Sequence, residues 1–128
     1  MKLIVAASLF VFVLAGCGSS SPKPTLYTIG PTKQCARGYG HILRPKADDF
    51  VATTASGGAF VLRFPDNDVT VLFASDANGA GGLADAYRRF HAKNVGVEDI
   101  LRTQNNAVML WKLHPTNTDE AEMTNCLK

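Results

Sequence analysis

Large apolar residues recur at every second position in two neighbouring stretches. From Ala59 to Phe64 the apolar residues Phe60, Leu62 and Phe64 share one face, and from Val69 to Phe73 Val69, Val71 and Phe73 do the same. The polar run Pro65-Asp66-Asn67-Asp68 lies between them, so the pair predicts an antiparallel hairpin. The period then changes. Between about Asp76 and His91, Leu83, Ala86, Tyr87 and Phe90 fall at helical spacing, which predicts an amphipathic helix. A second hairpin follows, with Asp99 to Thr103 and Ala107 to Leu113 joined by Gln104-Asn105-Asn106. His114-Pro115-Thr116 ends that strand. Asn117 with Glu120 offers a capping-box pair for a last helix that would bury Met123, Cys126 and Leu127. Upstream, Gly30-Pro31-Thr32 to Gly38 predicts a short helix, with proline in its first turn and glycine at its exit. His41 to Arg44 predicts a short strand, Lys46 to Asp49 a loop, and Ser56-Gly57-Gly58 a break before the first hairpin.

This order predicts an α+β domain, an antiparallel sheet of about four to five strands with two or three helices on one face. Moving along the chain by 39 residues places Leu62-Arg63 on Leu101-Arg102, Asn67 on Asn106, Val69 on Val108 and Val71 on Leu110. Either a ββα unit is repeated, or two hairpins obey the same local rules. If helices cover Phe60, Leu62, Phe64, Val71 and Phe73, the other face carries Val61, Arg63, Thr70 and Leu72. The strand from Ala107 is apolar on both sides, with Ala107, Met109, Trp111 and Leu113 opposing Val108 and Leu110. The termini cover that second face, or part of it is a docking patch; Trp111 reads as a core residue.

The N-terminus is of a different kind. Met1-Lys2 carries one positive charge, Leu3 to Ala15 carries none, and Gly18-Ser19-Ser20-Ser21-Pro22 follows at once. A charged start, an apolar core and a small-residue exit make a secretory signal. The apolar run falls short of the roughly 20 residues a membrane-spanning helix needs. Leu14-Ala15-Gly16-Cys17 resembles the lipobox of bacterial lipoproteins. The resemblance implies cleavage before Cys17 and diacylglyceryl transfer to its thiol. Residues 1–16 would then be the signal, 17–25 the lipidated cysteine and a polar tether, and 26–128 a single domain. Two or more acyl chains hold stably where one holds marginally. Gly18 in place of an aspartate favours an outer-membrane or outward-facing location, so the expected address is the cell membrane or outer membrane with the domain outside the cytoplasm.

Charge and cysteine count narrow the rest. The formal net charge of +2 falls by one when Lys2 leaves with the signal, a balance that points away from nucleic acid. With Cys17 assigned to lipid, Cys35 and Cys126 remain as a pair in an exported chain, so a disulfide between them is expected. The competing reading makes one of them a reactive thiol with a histidine as base.

From Ser56-Gly57-Gly58-Ala59-Phe60, through Tyr87-Arg88-Arg89-Phe90, to Cys126-Leu127, the chain resembles small uncharacterised lipoproteins of actinobacterial type. The resemblance implies an envelope protein and brings no activity or site residues with it. Gly79-Ala80-Gly81-Gly82-Leu83-Ala84 fits a dinucleotide-type glycine pattern, but its preceding strand belongs to a hairpin and not to a parallel βαβ unit, so it reads as a mobile loop or frayed helix entry. His41, His91 and His114 lack metal-ligand spacing, and Asp66 and Asp68 lack the other ligands of a calcium loop. Asp48-Asp49 reads as a solvated pair in the same way, and no serine occupies a nucleophile elbow. Arg88, Arg89, His91 and Lys93 form a basic helix end that suits the helix dipole. The expectation is a non-enzymatic envelope module without cofactor or metal. It would be held to a membrane by lipid on Cys17 and would bind an envelope protein or small ligand through a sheet face or loop. The rivals are a small extracytoplasmic hydrolase or thiol enzyme, and an inhibitor of a secreted enzyme with an exposed loop around Gly79.

Overall fold

A computed structural model describes Gly18, residues 25–90 and residues 96–128. The proposed signal, Cys17 and most of the tether lie outside the described residues, as do His91 and Lys93. The described elements run α1 (Ile29–Ala36), β1 (His41–Leu43), α2 (Phe50–Thr53), β2 (Ala59–Arg63), β3 (Asp68–Phe73), α3 (Ala77–Phe90), α4 (Val97–Ile100), β4 (Leu101–Gln104), β5 (Ala107–Trp111) and α5 (Asn117–Asn125). The chain is α+β, as the pattern predicts, and its sheet is antiparallel throughout in the order β1-β2-β3-β5-β4.

Alternation sets the register of the first hairpin. Phe60 lies opposite Val71, Leu62 opposite Val69, and Arg63 opposite Asp68. Phe60, Leu62, Val69, Val71, Phe73, Met109 and Trp111 thereby form one continuous buried face. Helices α1 and α5 cover it with Ala36, Met123, Cys126 and Leu127. Trp111 is core, stacked on Phe64 with ring centroids 5.7 Å apart. Its buried indole Nε1 has no hydrogen-bond partner among the described residues, an omission that ordinarily costs about 1–3 kcal/mol. The Cys35–Cys126 disulfide joins α1 to the residue capping α5, with Cα atoms 5.3 Å apart across 91 residues of chain.

The expectation that the helices share one face is corrected. Leu72 and Val108 point to the opposite side and are fully buried there, together with Leu101. Ala80, Ala84 and Tyr87 of α3 and Val51 and Ala52 of α2 cover them. The reason is the apolar character of β3 and β5 on both sides. Two central strands of that kind need cover above and below, and one layer of helices supplies only half.

The same geometry decides the 39-residue correspondence. It does not preserve the pairing, since Leu62 faces Val69 whereas Leu101 faces Leu110, and it sends Val69 to one face and Val108 to the other, with α3 and α5 following suit. A two-fold axis that exchanges the antiparallel strands β3 and β5 leaves every side chain on its own face. No rotation therefore relates the two ββα units, and the similarity is shared hairpin grammar.

Several boundaries also move. Thr116, not Asn117, caps α5, accepting a hydrogen bond from Asp119 N at 3.1 Å, while Glu120 is drawn away to Arg102 at 2.8 Å. The glycine-rich segment is helix and not a loop: Gly79, Gly81 and Gly82 lie in α3, and Asp76 accepts from Gly79 N at 2.7 Å. A Cβ at Gly79 would stand 3.0 Å from that of Ala74, a tight approach that glycine relieves where the helix start packs on the end of β3. The buried stripe of α3 is Ala80, Ala84 and Tyr87, with Leu83 and Ala86 half-buried at its margin and Phe90 exposed. Helices α2 and α4 were not foreseen.

Candidate functional site

Helix α3 covers only one end of the second sheet face. Ala59, Leu72, Val108 and Leu101 pack beneath or beside it and α2. Toward the β2–β3 turn the cover stops. Val61, Thr70 and Leu110 are left half-buried, with exposed Leu43 beside them on β1. These residues form the floor of a groove of about 370 Å³. This answers the question left by the pattern. The terminal helices cover the first face, and part of the second stays open.

The rim is polar and comes from four separate segments. Arg44 and Lys46 follow β1, Arg63 ends β2, Asp68 begins β3 and Lys112 follows β5. Asp68 and Arg63 face each other across the hairpin in a two-pronged ion pair, with Nε to Oδ1 at 2.9 Å and Nη2 to Oδ2 at 3.0 Å. Hydrogen bonding and charge from Arg63, helped by Lys112 and Lys46, hold the Asp68 carboxyl below the ordinary carboxylate range. The other groove carboxylate, Asp49, caps α2 through Ala52 N at 3.0 Å and accepts from the Tyr87 hydroxyl at 2.8 Å. Burial, and then the charge of Asp49, push the Tyr87 phenol far above its usual range, so it serves as a neutral donor tying α3 to α2. Both carboxylates in the groove are thus engaged. Arg44, Lys46 and Lys112 form no ion pair among the described residues.

Beyond Asp49 and Leu110 the groove continues into a cleft bounded by Phe50, Val51, Tyr87 and Phe90. Phe50 and Phe90 are exposed and meet edge to face at 5.3 Å. The other end opens past Arg63, Asp68 and Lys112 onto the β2–β3 turn and exposed Leu113.

Residues singled out in the sequence are dispersed. Cys35 and Cys126 share one bond, so neither sulfur is a free nucleophile. His41 stands exposed at the start of β1. His114 is exposed and its Nδ1 lies 2.7 Å from Asp99, on the outside of the domain. Asp66 is in the turn, and Asp68 is committed to Arg63. Among the described residues no group of three potential metal ligands comes together. Arg88 of the basic helix end is paired with Asp85 and Glu98. The groove cations went unremarked in the sequence, apart from Arg63 on the second face. Their signal was parity: Arg63 shares a face with Val61 and Thr70, while Arg44, Lys46 and Lys112 lie just past strand ends.

Chain entry is fixed at the far end of the sheet. Tyr27 exchanges two hydrogen bonds with Asn106, whose Oδ1 accepts from Tyr27 N at 2.7 Å and whose Nδ2 donates to Tyr27 O at 2.9 Å. Asn105 donates to Thr25 O. The chain therefore enters the domain beside the β4–β5 turn, whereas Arg63, Asp68 and Lys112 sit at the opposite strand ends. No family model matches the chain, and neither a curated protein nor a solved structure matches it significantly.

Proposed function

We propose that this protein is an exported lipoprotein, held on the cell membrane or outer membrane by lipid on Cys17, whose domain is a non-enzymatic binding module facing away from the cytoplasm. The observation that carries the binding reading is the open half of the second sheet face. It has an apolar floor inside a rim holding three cations that form no ion pair among the described residues. Leaving such a surface uncovered forgoes burial worth about 25 cal/mol per Å², and concave apolar sites with a few placed polar groups are where ligands bind. The lipoprotein reading rests on the Leu14-Ala15-Gly16-Cys17 motif and its preceding apolar run.

The anchor is tested by metabolic labelling with a radioactive fatty acid. Label is expected on the wild-type chain and absent from Cys17→Ser; retention of full label in that variant would sink the lipoprotein reading. The module is tested by placing a photo-crosslinking residue at Leu43 in cells. Adducts that depend on this position are expected, with none when the crosslinker replaces exposed Thr118 on the far side of the domain. Equal labelling at the two positions would count against the groove.

A further inference from the structure

We infer that the groove takes a short extended segment of a partner protein, laid across the strands, with apolar side chains on the floor and two acidic side chains held by Arg44, Lys46 and Lys112. This rests on the binding-module reading and names the chemistry of its partner.

The register arranges the second face in rows that cross the strands. Leu43, Val61, Thr70 and Leu110 lie opposite one another in turn and make the floor. His41, Arg63 and Asp68 make the next row toward the β2–β3 turn, and Lys112 joins it by donating its N–H to Asp68 O at 2.8 Å. On the other side Ala59, Leu72 and Val108 form a row covered by α2 and α3. The open surface is therefore a trough one row wide, crossing β1, β2, β3 and β5 between a charged wall and a helical wall. Neighbouring strands lie about 4.8 Å apart, so the floor is about 14 Å long, the reach of about four extended residues. Rows on one face are about 7 Å apart, which admits one extended chain, whereas a helix with its side chains measures about 10–12 Å across.

The charges set the chemistry. Four cations, Arg44, Lys46, Arg63 and Lys112, line the trough with two carboxylates, Asp49 and Asp68, a formal excess of two positive charges. Asp68 is taken by Arg63, and Asp49 by Tyr87 and the α2 backbone, so the excess falls on Arg44, Lys46 and Lys112. Arg44 and Lys46 stand on the β1 side and Lys112 on the β5 side, so positive charge is available at both ends of the floor and not gathered at one. That distribution suits two anionic groups spaced along a chain. Side chains of an extended segment alternate between two sides. Apolar ones facing the floor therefore alternate with ones facing out, where exposed Lys46 and Lys112, on flexible four-carbon stems, fold over to meet them. Asp48 in the adjoining cleft and Asp66 at the turn are exposed carboxylates outside the trough, and they disfavour acidic positions beyond it. Nucleic acid is disfavoured by the floor, which offers no ring for a base to stack on; the Trp111 ring packs against Phe64 on the other face.

The test is calorimetric titration of the purified full-length chain carrying Cys17→Ser, using five-residue peptides acetylated and amidated at their ends. A peptide with leucine at odd and glutamate at even positions is expected to bind saturably at one per chain. Replacing its glutamates by lysines, or its leucines by serines, should weaken it at least tenfold. Combining Lys46→Glu with Lys112→Glu should reverse the preference, so that the lysine peptide binds at least tenfold more tightly than the glutamate peptide. Such a reversal needs a folded groove, which separates loss of the charges from misfolding. In the chain with Cys17→Ser alone, amide NMR shifts on adding the glutamate peptide should centre on Val61, Thr70 and Leu110. Absence of saturable binding, binding indifferent to the peptide's charge, or shifts centred elsewhere overturns the proposal. A thymidine octanucleotide bound more tightly than the glutamate peptide overturns the assignment to a protein segment. If the peptide fails while the Leu43 crosslinker gives its position-dependent adducts, the partner chemistry falls and the binding module stands; if both fail, the module reading falls too.

Discussion

Asn67 and Asn106 each sit one residue before a central strand, and each clips another segment of backbone to the sheet. Asn67 Oδ1 accepts from Leu113 N at 3.0 Å while its Nδ2 donates to Leu113 O at 3.1 Å. Asn106 does the same for Tyr27 and donates also to Ala74 O at 3.0 Å. An amide side chain carries an acceptor and a donor side by side, and so pairs with the N–H and C=O of one residue. Asn106→Ala would strand Tyr27 N and the buried Ala74 carbonyl, and unfolding in urea should show a loss of about 2–4 kcal/mol. At the groove rim, the Asp68 carboxyl titrates below the ordinary carboxylate range. Its folded value is depressed, so the ion pair's contribution is complete above the unfolded carboxylate pKa and disappears as pH falls through the folded value. NMR titration should find this carboxyl moving back toward the ordinary range in Arg63→Gln, with the other carboxyls unmoved.

At the level of elements, caps decide where helices begin. Thr116 accepts from Asp119 N, whereas Asn117 lies within α5. Thr116→Ala should therefore cost about 1 kcal/mol and Asn117→Ala much less, measured as shifts in thermal midpoint. A reverse ranking would restore the cap expected from the sequence. That expectation failed because Asn117–Glu120 and Thr116–Asp119 both fit the three-residue capping spacing, and only Arg102, distant in sequence, reveals that Glu120 is engaged elsewhere. The two hairpins were legible because period-two alternation is a local signal of five or six residues. The four-residue helices α2 and α4 are too short to display a period of 3.6. Two-sided cover was half legible, since β5 announced its apolar second face. Which helix would lie there was not, because α3 presents to it Ala80, Ala84 and Tyr87, of which only Tyr87 belongs to the Leu83, Ala86, Tyr87, Phe90 stripe of the pattern.

At the scale of the whole molecule, the groove is defined by what α3 leaves uncovered and by cations from three separate segments. Neither is a local property, so the site could not be read in advance beyond the exposed parity of Val61, Arg63 and Thr70. The clamp could be, once Cys17 was set aside. Closing 91 residues removes unfolded-state entropy worth about 4–5 kcal/mol in the chain-entropy model. Reduction should accordingly lower the unfolding midpoint sharply, with a mass gain of about 2 Da per chain from the two added hydrogens. A domain that unfolds at the same temperature with its thiols reduced would show that packing of Met123 and Leu127 alone holds α5.

The same bond also governs how the domain would carry a mechanical load. Tension applied through the N-terminal segment first strains the Tyr27–Asn106 clip and the contact of Thr28 N with Lys128 O at 2.6 Å. Peeling from that end halts at Cys35, because the sulfur bridge passes the force directly to Cys126 and the rest of the sheet lies within the closed loop. Stretched between its termini, the oxidised domain could lengthen only by the short segments outside the bridge, at most about 3.6 Å per residue. The strands lining the groove would keep their shape while the N-terminal segment is pulled taut.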